Sequence, residues 1–192
     1  MELHDLQYLP ALPWPAARTV YRIQRIRNRP GTLTVGALKL APLGDQSGRF
    51  ALPDQATGYF AESPETAAYE SLVRREAVSL SLTQARQRQL LCLQTTAPLY
   101  LLDLRQHAST WPVLQSLRFP VTRQLAAGAR TAGFDGIAYR SAQHHGQDCF
   151  VVFGPGLQSF KPVWRRPLIR PDGAMHQALA AAIRGGQIPL VP

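Results

Sequence analysis

The stretch Thr57-Gly58-Tyr59-Phe60-Ala61-Glu62-Ser63-Pro64-Glu65-Thr66-Ala67-Ala68-Tyr69-Glu70 changes from a strand pattern to a helix pattern within two residues. TGYFA, residues 57–61, reads as a short strand. Ser63 can accept from the first free helical amides, Pro64 fits the first helical position, and Glu65 suits the positive end of the helix dipole. The helix TAAYESLVRREA is expected to run to about Ala77. A strand feeding directly into a capped helix sets the pattern for the whole chain.

Upstream, TVYRIQRIR (19–27) is β-branched and alternating, a strand closed by the turn Asn28-Arg29-Pro30-Gly31. Residues 32–40 suggest a second strand, and 41–50 a loop that leads into Arg49 and Phe50. Residues 1–18, with Pro10, Pro13 and Pro15, read as an irregular arm. Downstream, 78–96 fits either a strand with a short helix or one longer helix. PLYLLDL (98–104) reads as a buried strand, and 110–117 and 120–132 as helices. Gly133-Phe134-Asp135-Gly136 is a turn between the second of these and the strands IAYRS (137–141) and CFVVF (149–153). A helix is expected from about Ala174 to Arg184, stopped by Gly185-Gly186. Strands and helices in this order make an α+β protein. The regular βαβ rhythm and the GxGxxG motif of a dinucleotide-binding Rossmann fold are missing.

A chain of 192 residues suits one domain and needs no disulfide or metal to hold its core. Cys92 and Cys149 have no metal-ligand neighbours in sequence and read as reduced, half-buried thiols of a cytoplasmic protein. No run of about 18 apolar residues suggests a membrane span, and the N-terminus lacks the pattern of a signal peptide. The net charge is +9 and the pI about 10.4, so anions are the expected partners. Almost all of this charge is arginine, since Lys39 and Lys161 are the only lysines. Arginine suits bidentate phosphate binding, although GC-rich coding would give the same bias. Arg22, Arg25, Arg27 and Arg29 form the densest run.

Three segments stand out together: Val20-Tyr21-Arg22-Ile23, Gly48-Arg49-Phe50 with the strand and helix quoted above, and Gly133-Phe134-Asp135-Gly136-Ile137-Ala138-Tyr139-Arg140-Ser141. In this order they resemble the RES family, named for its arginine, glutamate and serine, over roughly residues 19–160. The resemblance implies an ADP-ribosyltransferase-like fold, a split mixed β-sheet core with flanking helices. It implies NAD as substrate rather than as a cofactor, with inorganic phosphate as a co-substrate if the bond is cut by phosphorolysis. It also implies a neutralising, acidic antitoxin of Xre type. By this resemblance Glu70 and Arg22 are the catalytic candidates, and Arg22, Arg49, Tyr59 and Ser141 the NAD-binding ones. Arg22 and Arg49 would hold the pyrophosphate, Tyr59 the nicotinamide ribose, and Ser141 would orient substrate. The physical reading agrees: a carboxylate can face the oxocarbenium-like ribose, and a helix holds it better than a loop.

Each residue taken singly has a plainer explanation. Glu70 could pair with Arg74 one turn on, Arg22 could be a surface strand residue, Arg49 a loop cation, Tyr59 a core residue, and Ser141 a strand-end turn residue. Tyr21 should point away from Arg22 into the core, and Tyr69 away from Glu70. His144-His145 reads as an exposed loop pair, with no carboxylate-rich set to make a metal site. Residues 161–192 form a basic C-terminal extension with a short helix, which either packs on the domain or docks an acidic partner. Direct nucleic-acid binding is disfavoured because the cations do not cluster with aromatics. Hydrolysis, phosphorolysis and protein ADP-ribosylation remain open, as does an inactive or secreted relative.

Overall fold

The computed structural model describes residues 2–116 and 118–192. Eight of its strands form one mixed sheet. They are β1 (Ala11–Trp14), β2 (Thr19–Arg25), β5 (Thr57–Ala61), β7 (Arg88–Thr95), β8 (Leu99–Asp103), β9 (Gly136–Arg140), β10 (Asp148–Phe153) and β11 (Phe160–Pro167). The order across the sheet is β1-β8-β9-β10-β5-β2-β7-β11. Every pairing is antiparallel except β8 with β9. Two small ribbons complete the β structure, β3 (Leu33–Val35) with β4 (Leu38–Leu40), and β6 (Leu80–Ser81) with β12 (Leu190–Val191). Four α-helices flank the sheet: α1 (Pro64–Ser71), α2 (Leu82–Arg86), α3 (Phe119–Thr131) and α4 (Gln177–Gly186).

The sheet is split near its middle. β2 and β5 share one register pair, Tyr21↔Ala61, whereas β2 follows β7 over seven pairs. Beyond Tyr21 the two strands part, and the opening between them is where the functional cleft forms. Two cores lie on opposite faces. Ile23, Ala61, Ala67 and Leu90 belong to one, under α1, α3 and α4. Val20, Phe60, Leu91 and Phe160 belong to the other, with the β3–β4 hairpin. The side-chain alternation of a strand puts Tyr21 and Ile23 on the first face and Val20 on the second.

Several expectations need correction. The N-terminal arm is ordered structure: Leu3–Tyr8 is a 3-10 helix and β1 pairs with β8, with Leu6 and Trp14 buried. The expected strand over 32–40 is a hairpin that reverses at Gly36, where φ is +55°. α1 stops at Ser71 rather than Ala77, because the amides of Leu72 and Val73 both turn back to the Ala68 carbonyl. In 78–96 the strand-with-short-helix alternative holds, but its main element is the long strand β7. The helix expected over 110–117 is a 3-10 turn, Pro112–Gln115, and Leu117 lies outside the described residues. β11 crosses the boundary drawn at residue 160 and forms an edge of the main sheet, so the C-terminal segment is no appendage. α4 begins at Gln177, capped by His176, and runs through Gly185 and Gly186. Its end is Gln187, in the left-handed region at φ 52°.

Candidate active site

Ser63 caps α1 as its sequence suggests, its hydroxyl accepting from the Thr66 amide at 3.1 Å. This start places Glu70 in the last turn of the helix, facing the opening between β2 and β5. The resulting cavity, about 190 Å³, is lined by Arg22, Arg49, Tyr59, Glu70, Arg74 and Phe119 among others. A second cavity of about 200 Å³ shares Arg22, Gly48 and Tyr59 with the first and continues beneath the 41–57 loop, past Asp45 and Ser47. The cleft therefore has two lobes with Arg22 at the waist.

Arg22 spans the split. Its Nη1 donates to the Tyr59 carbonyl at 2.8 Å and its Nη2 to the Lys39 carbonyl at 3.1 Å, while its buried Nε has no partner among the described residues. Burial away from water pushes its pKa down to about 10, which leaves it cationic at neutral pH. Arg49 is also buried, and burial lowers its pKa as well. Its Nη1 donates to the Leu114 carbonyl at 2.6 Å, its guanidinium lies 5.6 Å from the Phe119 ring centre, and its own carbonyl accepts from Thr122 Oγ1 at 2.5 Å. Tyr59 serves the loop as well as the cleft: its phenol oxygen accepts from the Phe50 amide at 2.9 Å. A Cβ on Gly48 would collide with that phenol, so glycine there lets the loop lie against the ring.

Ser141 has a different place from the one expected. It is 1% exposed and does not line the cavity. Its hydroxyl donates to Glu70 Oε1 at 2.5 Å and accepts the amides of Gln143 at 3.1 Å and His144 at 2.8 Å. It holds the carboxylate from behind, with its hydroxyl engaged by three partners. The Glu70–Arg74 pair of a longer helix does not form: α1 has ended, and Arg74 lies 3.3 Å from Glu76 instead. Tyr21 packs on the α1-side core, on the opposite face of the strand from Arg22, although the residue also contributes to the lining of the cleft. Tyr69 turns away from Glu70's side and stacks on His144 at 4.4 Å.

Three residues have places that the sequence reading missed. His144 is half-buried rather than exposed, with Nδ1 2.9 Å from Thr66 Oγ1, so it ties the Ser141 loop to the first turn of α1. Arg123 on α3 donates to the Gly48 carbonyl at 3.3 Å and to the Gln46 carbonyl, clamping the loop that carries Arg49. Arg74 adds a third guanidinium to the cleft. None sits in a recognisable motif; each acts through contacts distant in sequence.

The family model for the RES domain matches residues 19–171. The chain belongs to the RES-domain family. The match takes in all of β11, past the limit set by the motifs. Among solved structures, the fold is similar to that in the crystal structure of the M. tuberculosis MbcT–MbcA toxin–antitoxin complex. That similarity has a TM-score of 0.62 and 16% identity, and it covers 85% of this chain and 90% of that one. No curated protein sequence matches the chain. In this RES-domain protein Arg22 and Glu70 line one cleft, and Ser141 stands behind Glu70. No helix is long and apolar enough to cross a membrane among the described residues.

Proposed function

We propose that this RES-domain protein consumes NAD by breaking its nicotinamide–ribose bond, and that a protein partner restrains it, as in a toxin–antitoxin pair. The observation that carries this reading is a carboxylate, Glu70, held at 2.5 Å by Ser141 in the lobe that also presents Arg22, Arg49 and Arg74. Two lobes meeting at a half-buried arginine suit a dinucleotide, whose pyrophosphate would lie at the waist beside Arg22. The partner is supported by family membership and by the toxin–antitoxin structure that shares the fold.

The chemistry follows from the charges. Nicotinamide in NAD is a pyridinium. When its bond to ribose breaks, the bonding pair moves to the ring nitrogen and positive charge develops on the sugar. A carboxylate fixed in advance stabilises that charge without reorganising. Ser141 engages one Glu70 oxygen, Oε1, and so fixes the carboxylate's orientation. Phe119 and Tyr59 supply the flat walls against which an aromatic ring can pack. Water as acceptor gives ADP-ribose, phosphate gives ADP-ribose-1″-phosphate, and a side chain gives an ADP-ribosylated protein; in each case the acceptor loses one proton.

The test is incubation with NAD, with and without phosphate, followed by product separation. Loss of NAD with release of nicotinamide supports the reading, and the second product names the acceptor. Glu70→Ala is expected to abolish the loss and Arg22→Ala to weaken it severely. Undiminished turnover by Glu70→Ala would remove Glu70 from the mechanism.

A further inference from the structure

Residues 6–44 and 77–102 hold eight of the chain's 21 basic residues and none of its 12 acidic ones. The fold brings the two segments together, because β2 and β7 pair directly. Their register sets Arg25 opposite Arg88, a like-charge cross-strand pair that by itself opposes folding. Arg27 and Arg29 follow Arg25 into the turn, and Arg86 precedes Arg88. Among the described residues, no ion pair joins any of these five arginines to a carboxylate. Burial lowers the pKa of Arg25 and Arg88, and the neighbouring arginines add to the effect. A cavity of about 530 Å³ opens among Arg25, Ile26, Arg27, Arg29 and Arg86. A second, of about 290 Å³, runs from Arg25 and Arg27 past Arg88 to Arg22 at the waist of the main cleft.

From this we infer that the arginine end of β2 and β7 is a docking surface for an acidic protein segment, which when seated lies against the Arg22 side of the cleft. Uncompensated like charges cost stability in the free chain, and an acidic partner removes that cost. Ile26 is 41% exposed in the midst of the arginines. An apolar side chain there is covered by a folded protein face and gives nothing to a phosphate backbone. A surface for single-stranded nucleic acid would call for exposed rings on which bases stack. The large exposed aromatics, Tyr8 and Tyr100, lie instead on the N-terminal 3-10 helix and on β8, with four strands between β8 and β7 that include the whole split. The inference takes from the proposed function only that a protein partner exists; NAD chemistry does not enter it.

The experiment uses the full chain and the variant Arg27→Glu/Arg29→Glu/Arg86→Glu, none of which lines the main cleft. Fluorescence anisotropy follows binding of two probes of matched charge. One is a helical peptide of about twelve residues with glutamates and leucines on one face; the other is an oligothymidylate. The peptide is expected to bind the native chain, to weaken at least about tenfold between about 50 and 200 mM salt, and to lose at least about tenfold in the variant. Tighter binding of the oligothymidylate would make the surface a nucleic-acid site and overturn the inference. Peptide binding that is absent, or unchanged by charge reversal, would also overturn it. NAD turnover of the variant, expected to match the native chain, and its melting temperature, expected to be no lower because the like-charge cost is relieved, show that its fold and cleft survive. If neither protein consumes NAD, the proposed function fails while the anisotropy still decides the docking surface.

Discussion

At the residue scale, the cleft depends on groups that hold other groups. Ser141 is a positioning residue: Ser141→Ala removes a 2.5 Å hydrogen bond to a carboxylate but touches no substrate-facing atom. A hydrogen bond to a charged group contributes about 1.5–3 kcal/mol, so kcat for NAD loss is expected to fall about ten- to a hundredfold with little change in KM. Ser141→Thr, which keeps the hydroxyl, should recover part of it; a KM effect with kcat intact would instead mean that Ser141 meets substrate. Arg22 offers a test by pH. Its burial brings an arginine down to about 10. A lysine in the same place starts from about 10.4, below the ordinary value of arginine, and the same loss of hydration would push it lower still. Arg22→Lys should therefore bind NAD progressively worse as pH rises from neutral into the alkaline range, losing its charge at a lower pH than the native chain does. A KM-against-pH profile for the two proteins checks this, and parallel profiles would refute it.

At the element scale, α1 carries Glu70 and is braced from both ends. Ser63, Thr66 and His144 tie its first turn to the Ser141 loop through contacts of 2.8 and 2.9 Å. α4 lies against its other side, where Gly185 leaves room for the Tyr69 phenol. Gly185→Val should push Tyr69 off His144 and cost about 1–3 kcal/mol, seen as a lower melting temperature. His176 caps α4 by accepting the Ala178 amide at 3.3 Å, which requires a neutral ring nitrogen. Burial lowers its pKa, Arg166 adds to this, and Glu65 opposes it. Folded pKa below unfolded means stability that is present above about 6.5 and lost as pH falls through the folded value. The protection of the α4 amides, corrected for the intrinsic exchange rate, should therefore fall as pH drops below about 6.5, and His176→Asn, which caps without titrating, should flatten that response. The elements legible in sequence were those with local signals: the cap at Ser63, the alternation of 19–25 and the turn at Gly133. β7 was not, because Arg88-Gln89-Leu90-Leu91-Cys92-Leu93 has no β-branched residue and suits a helix equally well. Its place between β2 and β11 makes it a strand. β1 and β11 were hidden by proline, which an edge strand tolerates. In the cleft, sequence pattern singled out Arg22, Arg49, Tyr59 and Glu70, which line it, but could not show that Ser141 faces Glu70, because that contact joins residues 71 apart.

At the scale of the whole molecule, the split sheet needs both of its edges. β11 closes one and the N-terminal arm closes the other, although the arm precedes the residues matched to the family. Trp14 is buried against Phe150 at 4.5 Å, with Arg18 stacked 5.5 Å from its ring centre. Leu6 is fully buried in the opposite core, and the side chain of Gln7 fills the space left by Gly128 on α3. The arm thus reaches both cores, pairing with β8 and packing on α3, the two elements that lead to β9 and so to Ser141. Replacing a buried tryptophan by alanine costs about 3–5 kcal/mol, against a total stability of about 5–15 kcal/mol for a domain. Trp14→Ala is therefore expected to fold with a clearly lower denaturant midpoint and near-native NAD turnover at low temperature. Deleting residues 2–16 removes Leu6 and Trp14 together and uncovers β8, so the truncated chain should not fold cooperatively. Denaturant titration by circular dichroism separates the alternatives. A truncated chain that unfolds in one sharp transition near the native midpoint would show that the matched segment folds alone, with the arm only laid over it.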